Sequence, residues 1–298
     1  MTVHPARAEE RGDQGSGGSA SSTPVEMSTV LGAVREDVRQ TLRTGWLDPG
    51  LEAAAAYPVF FTAAWSAIRP NVGRSFLALA RRLRSEATDV LRVAFELPDL
   101  RKRLDADLSE EEMRRVEEST MAAHLATAKA QIVVHALCRA VRKDRISGTG
   151  REEPPIRRGV PEWQRWMSFQ PSAQNAPTIL LDVVDRMAVP SAPVPLRLLA
   201  RWPSALATLW DELGPAAGSE AWTAGAARLR RFVLAGMATL PHPVELQWSA
   251  LLARGFSEDQ RQELTAVLAE HDAAMPAMTL TSAFSWLAFG APEIGAEG

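Results

Sequence analysis

The sequence predicts an all-α protein made of two tandem copies of one helical unit, facing each other as an intramolecular pseudo-dimer. Three observations carry that expectation. Apolar residues recur with a 3.6-residue period over long stretches. No run shows the alternation of a half-buried strand. One phrase is written twice, as YPVFFTAAWSAIRP at 57–70 and as WPSALATLWDELGP at 202–215.

The repeat keeps phase. Phe60, Phe61, Ala64, Trp65 and Ile68 return 145 residues later as Ala205, Leu206, Leu209, Trp210 and Leu213, and each set lies on one helical face. Pro58 and Pro203 suit a first helical turn, and Pro70 and Pro215 suit a stop. The next helix is written at 75–98 and again at 220–241. After it, LSEEEMRRVEE (108–118) answers FSEDQRQELTA (256–266), where Ser109 and Ser257 read as N-caps with acids in the first turn. A last apolar helix follows in both copies, at 128–141 and 276–290. Two units are too few for a stacked array, so a pseudo-dimer with its cleft between the copies is expected.

This pattern divides the chain into a Gly/Ser-rich disordered lead-in (1–26), a first repeat (27–142), a Gly/Pro/charge-rich linker (143–174) and a second repeat (175–298). Of the 298 residues, 46% are apolar and 23% charged, with a net charge of −3. That balance gives no reason to expect nucleic acid or an anionic membrane as partner. No apolar stretch is long enough to span a bilayer, and the lead-in lacks the apolar centre of a signal peptide. A single cysteine, Cys138, excludes an internal disulfide framework and fits a reducing cytoplasm. A homodimer is left open.

EDVRQTLRTGW (36–46), the YP…AW and LARWP…LW phrases, and LPDLRKRL (97–104) together resemble the group I 2-haloacid dehalogenases, the DehI family. The resemblance runs from about residue 27 to 290. It implies an all-helical pseudo-dimer with its site between the repeats, acting on a short 2-halo carboxylic acid with neither metal nor organic cofactor. It also implies direct attack of water at C2, with an aspartate as base and an asparagine holding the water. A carboxylate is needed because the water must lose a proton as the carbon–halogen bond breaks, and a polar group must aim it. The resemblance puts the asparagine at Thr127, a lysine at Lys129, the aspartate at Pro195 and a pocket tryptophan at Trp46.

A proline cannot accept a proton, so another acid is needed if the chain is a hydrolase. Asp48, two residues after Trp46, and Asp185, ahead of Pro195, are the candidates. Against them stand turn chemistry for an Asp before Pro-Gly and a solvated helix face for Asp182 and Asp185. Thr127 offers a hydroxyl to water or substrate, or a bond back to its own turn. Lys129 offers an ammonium to a substrate carboxylate, or a snorkelling side chain. His124 and His135 share a face without a third ligand at metal spacing. Cys138, three residues after His135, would have its pKa lowered if the two touch. The competing function is a non-catalytic paralogue that binds a small acid in the same cleft.

Overall fold

The computed structural model describes residues 24–153 and 176–290. The lead-in up to residue 23, the linker from 154 to 175 and the last eight residues lie outside them. Between these limits the protein is helical, and the only β-type pairing among the described residues is the isolated bridge Ile146–Val244. No described helix is long and apolar enough to cross a membrane.

The first half runs through α1 (Pro24–Leu42), α2 (Pro49–Ala55), α3 (Pro58–Ile68), α4 (Arg74–Ala94), α5 (Leu100–Arg103) and α6 (Glu110–Val141). The second half repeats that order as α7 (Pro177–Met187), α8 (Val194–Leu199), α9 (Pro203–Ala217), α10 (Glu220–Met237), α11 (Trp248–Ala253) and α12 (Glu258–Ala288). Pro58 and Pro203 each occupy the first helical turn. There a missing N–H costs nothing, because no acceptor would face it. Ser109 and Ser257 both close full capping boxes, with Glu112 and Gln260 reaching back. The expected stop at Pro215 is not one, since α9 continues to Ala217. The proline removes a single bond in a helix that ends two residues later.

Several tertiary features recur at the same spacing. Trp65 Nε1 donates to Asp37 at 2.7 Å, and Trp210 Nε1 donates to Asp182 at 2.7 Å. α1 and α7 are followed by left-handed residues, Arg43 at φ 55° and Ala188 at φ 48°. The halves also interleave in matching pairs. α2 packs on α12 while α8 packs on α6, and α11 packs on α3 while α5 packs on α9. Phe60 of α3 stacks on Phe256, just beyond α11, at 5.6 Å.

α6 and α12 form the centre and are buried on nearly all sides over much of their length. Their hydroxyls must therefore find partners locally, because an unpaired buried polar group is costly. Ser119, Thr120, Thr281, Ser282 and Ser285 bond to carbonyls three or four residues back. Thr279 instead crosses to α6, donating to Gln131 Oε1 at 2.5 Å.

The described part of the expected linker is docked. Ile146 is buried, residues 146–150 bond to the backbone of 240–244, and Glu153 accepts from the Ser75 N–H at 3.1 Å. Gly148 serves that docking: it lies at φ 69° against the backbone of His242 and Pro243, where a Cβ would collide.

Candidate active site

Apart from the main core, Trp46, Ala122, Ala123, Ala126, Val194 and Leu198 form a small apolar cluster of their own. It draws on three elements. The alanines are a stripe on α6 at i, i+1 and i+4, Val194 and Leu198 lie one turn apart on α8, and Trp46 comes from the loop between α1 and α2. Alanines on the long helix leave room for what projects from the other two.

The loop is set by its ends. α1 stops at the left-handed Arg43, and residues 44–48 turn inward and are buried. Asp48 then caps α2, its Oδ1 accepting from the Gly50 N–H at 3.0 Å with Pro49 in the first turn. The turn chemistry expected of Asp-Pro-Gly is therefore present, but not at the surface. Asp48 is 4% exposed. Burial pushes its carboxyl from 3.8 up to about 6, against the opposing pull of the Gly50 N–H and the charge of Arg197. Arg197 lies on α8 between Val194 and Leu198, half-buried, and its guanidinium feels both Asp48 and Glu52. A buried carboxyl that titrates near 6 can take a proton at neutral pH, which a surface aspartate does poorly.

The other sequence candidates fall differently. Asp185 is exposed on α7 and is set aside as a base, because a solvated carboxylate has no closed site to act in. Asp182 is spent on Trp210 and Arg186. Thr127 is buried, but its hydroxyl donates to the Ala123 carbonyl at 2.8 Å, the bond back to its own turn. Lys129 does not snorkel: its buried ammonium donates to the Leu42 carbonyl at 2.6 Å and fastens the end of α1. Pro195 is buried in the first turn of α8, where its lack of an N–H is harmless.

The histidines part company. His124 stacks on Trp286 at 4.7 Å with planes 5° apart, and burial followed by the charge of Arg84 brings its pKa down to about 3. His135 Nδ1 lies 2.9 Å from Asp272 Oδ1. Cys138 contradicts the expectation of a lowered pKa. Burial, then the charge of Asp272, pushes the thiol up to about 11. Among the described residues no three His, Cys, Asp or Glu side chains gather as a metal site would require.

Arg197 was missed in the sequence because it sits in the apolar phrase PLRLLARWP and matches no expected motif. Aligning the repeats would have exposed it, since its counterpart 145 residues earlier is Glu52, of opposite charge.

Fold and site define an all-helical protein with a small apolar cluster and one buried carboxyl beside it. No protein-family model matches the sequence. A configuration-inverting 2-haloacid dehalogenase of Alcaligenes xylosoxydans xylosoxydans is 25% identical over 260 residues, covering 82% of this chain and 84% of that one. Among solved structures, a D-2-haloacid dehalogenase mutant in complex with D-2-CPA superposes with a TM-score of 0.78 at 20% identity, over 87% of this chain and 91% of that one. The D-2-haloacid dehalogenase in complex with L-LA gives the same TM-score at 19% identity, over 87% and 92%. The chain is similar in sequence to a 2-haloacid dehalogenase and shares the all-α fold of the D-2-haloacid dehalogenase structures.

Proposed function

We propose that this protein hydrolyses short 2-halo carboxylic acids, with Asp48 as the general base. The carrying observation is the buried Asp48 carboxyl, poised near 6, on the same loop as Trp46. In this reading water attacks C2 opposite the carbon–halogen bond. The new C–O bond forms as the halogen departs with its bonding pair, and the water proton passes to Asp48. The products are halide and the 2-hydroxy acid of inverted configuration, and Asp48 returns its proton to solvent. Trp46, Val194, Leu198 and the α6 alanines would hold the apolar end of the substrate away from bulk water.

The recurring contacts support a pseudo-dimeric arrangement, and the cluster draws on both halves: Trp46 and the alanines from the first, Val194 and Leu198 from the second. The test is halide release from each enantiomer of 2-chloropropionate and from chloroacetate. Measurable release that vanishes in Asp48→Asn supports the proposal.

A second reading, binding without turnover, has its own observation. The positions that the resemblance gives to the asparagine and aspartate are Thr127, with its hydroxyl spent on Ala123, and Pro195. No halide from any short 2-halo acid, with binding of lactate intact, would decide for this reading.

A further inference from the structure

One groove of the second half lies where the first half is filled by side chains. It measures about 490 Å³ and runs between the bend that ends α7 and one face of α12, with Met187, Val189, Glu270, Ala273, Ala274 and Ala277 among its lining. The offset of 145 along the bend pairs Met187 with Leu42, and the offset of 148 along the central helices pairs Ala277 with Lys129 and Ala273 with Leu125. In the first half those two positions of α6 carry bulk. Leu125 is buried, and the Lys129 ammonium donates at 2.6 Å to the carbonyl of Leu42, the last residue of α1. In the second half both are alanines, with neither the volume to close the space nor a donor for a carbonyl. The bend itself is kept. The Thr44 N–H bonds to the Arg39 carbonyl at 3.0 Å and the Val189 N–H to the Val184 carbonyl at 3.2 Å, each beside a left-handed residue. The carbonyl of Met187, the last residue of α7, therefore takes the place of that of Leu42.

We propose that this groove binds a primary alkylammonium ion of about the length of a lysine side chain. Its head would sit on the Met187 carbonyl, and its chain would lie along Ala273, Ala274 and Ala277, which share one face of α12. That is the position Lys129 holds in the first half. Charge supports the choice. The last carbonyls of a helix carry the negative end of its dipole, and a cation there is favoured. Where the first half has the cations Arg43 and Lys129, the second has Ala188 and Ala277, and where α6 has Ala122, α12 has Glu270. A negative charge is thus added where two positive ones are missing. Arg186, beside Met187 in the chain, is taken up by Asp182 at 2.9 Å. A primary ammonium offers three donors on a slender head, enough for one carbonyl and one carboxylate. The alanines and Val189 give its chain an apolar bed. A carboxylic acid would meet Glu270 and the negative helix end, so this groove and the proposed acid site select opposite charges. The inference does not rest on the dehalogenase reading and is tested apart from it.

The experiment is ligand-observed NMR titration of the full chain with n-butylammonium chloride and with 1-butanol, its uncharged analogue, at pH 7.5 and low salt. Butylammonium should bind the wild type about tenfold more tightly than 1-butanol, the order of one charge-assisted hydrogen bond. Glu270→Gln should weaken butylammonium about two- to fivefold, the range for an exposed charge, and leave 1-butanol unchanged. Ala277→Lys places the chain's own ammonium in the groove, as Lys129 does in the first half, and should abolish butylammonium binding. Ala277→Leu fills the same space without charge and should abolish binding of both probes, so the test survives a Lys variant that folds poorly. Absence of butylammonium binding by the wild type overturns the proposal, as does equal affinity for the two probes. So does butylammonium binding that persists in both Ala277 variants, or that is unaltered in Glu270→Gln.

Discussion

Residues 43–52 and 188–197 stand 145 positions apart. Each stretch starts on a non-glycine residue in the left-handed region and runs through a short loop into a short helix, α2 or α8. The helices before them are tied alike, through Asp37 to Trp65 and Asp182 to Trp210. The loops carry different cargo. Trp46 answers Ser191, Asp48 answers Pro193, and Glu52 answers Arg197. Contacts that place helices are needed in both halves and recur. Chemistry at a site shared between halves is needed once, and identical copies would bring like charges toward each other. In the proposed site, the acid and the tryptophan come from the first loop alone, and the second loop offers neither.

The largest effect that would break this comparison is on rate. Asp48→Asn should lower halide release by about 10² to 10⁴, the usual loss for a general base, and Asp185→Asn should leave it unchanged. The wild-type rate should fall as pH drops through about 6, where Asp48 takes up its proton. A pH profile flat between 5 and 8, or an Asp48→Asn variant of normal rate, removes Asp48 from the chemistry.

Stability should move the other way. Unfolded, Asp48 ionises near its ordinary 3.8; folded, near about 6. Between those values the folded state holds the extra proton, so stability declines as pH rises from about 4 to about 6 and then levels. Asn keeps the cap on α2 without the buried charge. Asp48→Asn should thus gain up to about 3 kcal/mol at pH 8 and almost nothing at pH 4, read from urea unfolding at both. A gain independent of pH would mean that burial is not what moves the carboxyl.

Much of this frame was legible in the sequence. The helix starts at Pro58, Pro203, Ser109 and Ser257, and the apolar phases around Trp65 and Trp210, are local patterns that the packing had only to accept. The site was legible only in part. Asp48 stood out by its distance from Trp46, yet the packing of its helix depends on α6 and α12, which are remote in sequence. Asp182 and Asp185 look alike in TILLDVVDRM, and nothing local tells which one a tryptophan on α9 will claim. Lys129 and Thr127 were read from a motif, while their hydrogen bonds were decided by the end of α1 and by the helix's own carbonyls.

A middle-sized test lies where the halves meet. Gln131 and Thr279 occupy equivalent places on α6 and α12, 148 residues apart as Ser109 is from Ser257, and they bond to each other at 2.5 Å. Thr279→Val leaves the Gln131 amide oxygen buried without this donor and should cost about 1–3 kcal/mol. Gln131→Met added to it should recover part of that loss, because two apolar groups need no partner. Additive losses in thermal unfolding would show that the two residues do not act as a pair.

The smallest effect is also the sharpest comparison. Arg43 and Ala188 hold equivalent left-handed positions, at φ 55° and 48°, and neither has a side chain suited to them. A non-glycine residue there costs roughly 1–2 kcal/mol, and glycine gives back about 0.5–1 of the gain through its freer unfolded chain. Arg43→Gly and Ala188→Gly should therefore each stabilise the protein by no more than about 1 kcal/mol, and by similar amounts, because the backbone problem is the same. Their effects on function should differ. The bend at Arg43 aims the loop that carries Trp46 and Asp48, so relaxing it should slow halide release; the bend at Ala188 aims Ser191 and Pro193, and relaxing it should not. Similar melting shifts with unequal rates would separate the shared frame from its one-sided chemistry. Unequal melting shifts would show that the two bends are strained for different reasons, and equal rates would show that the first loop needs no strain to place Asp48.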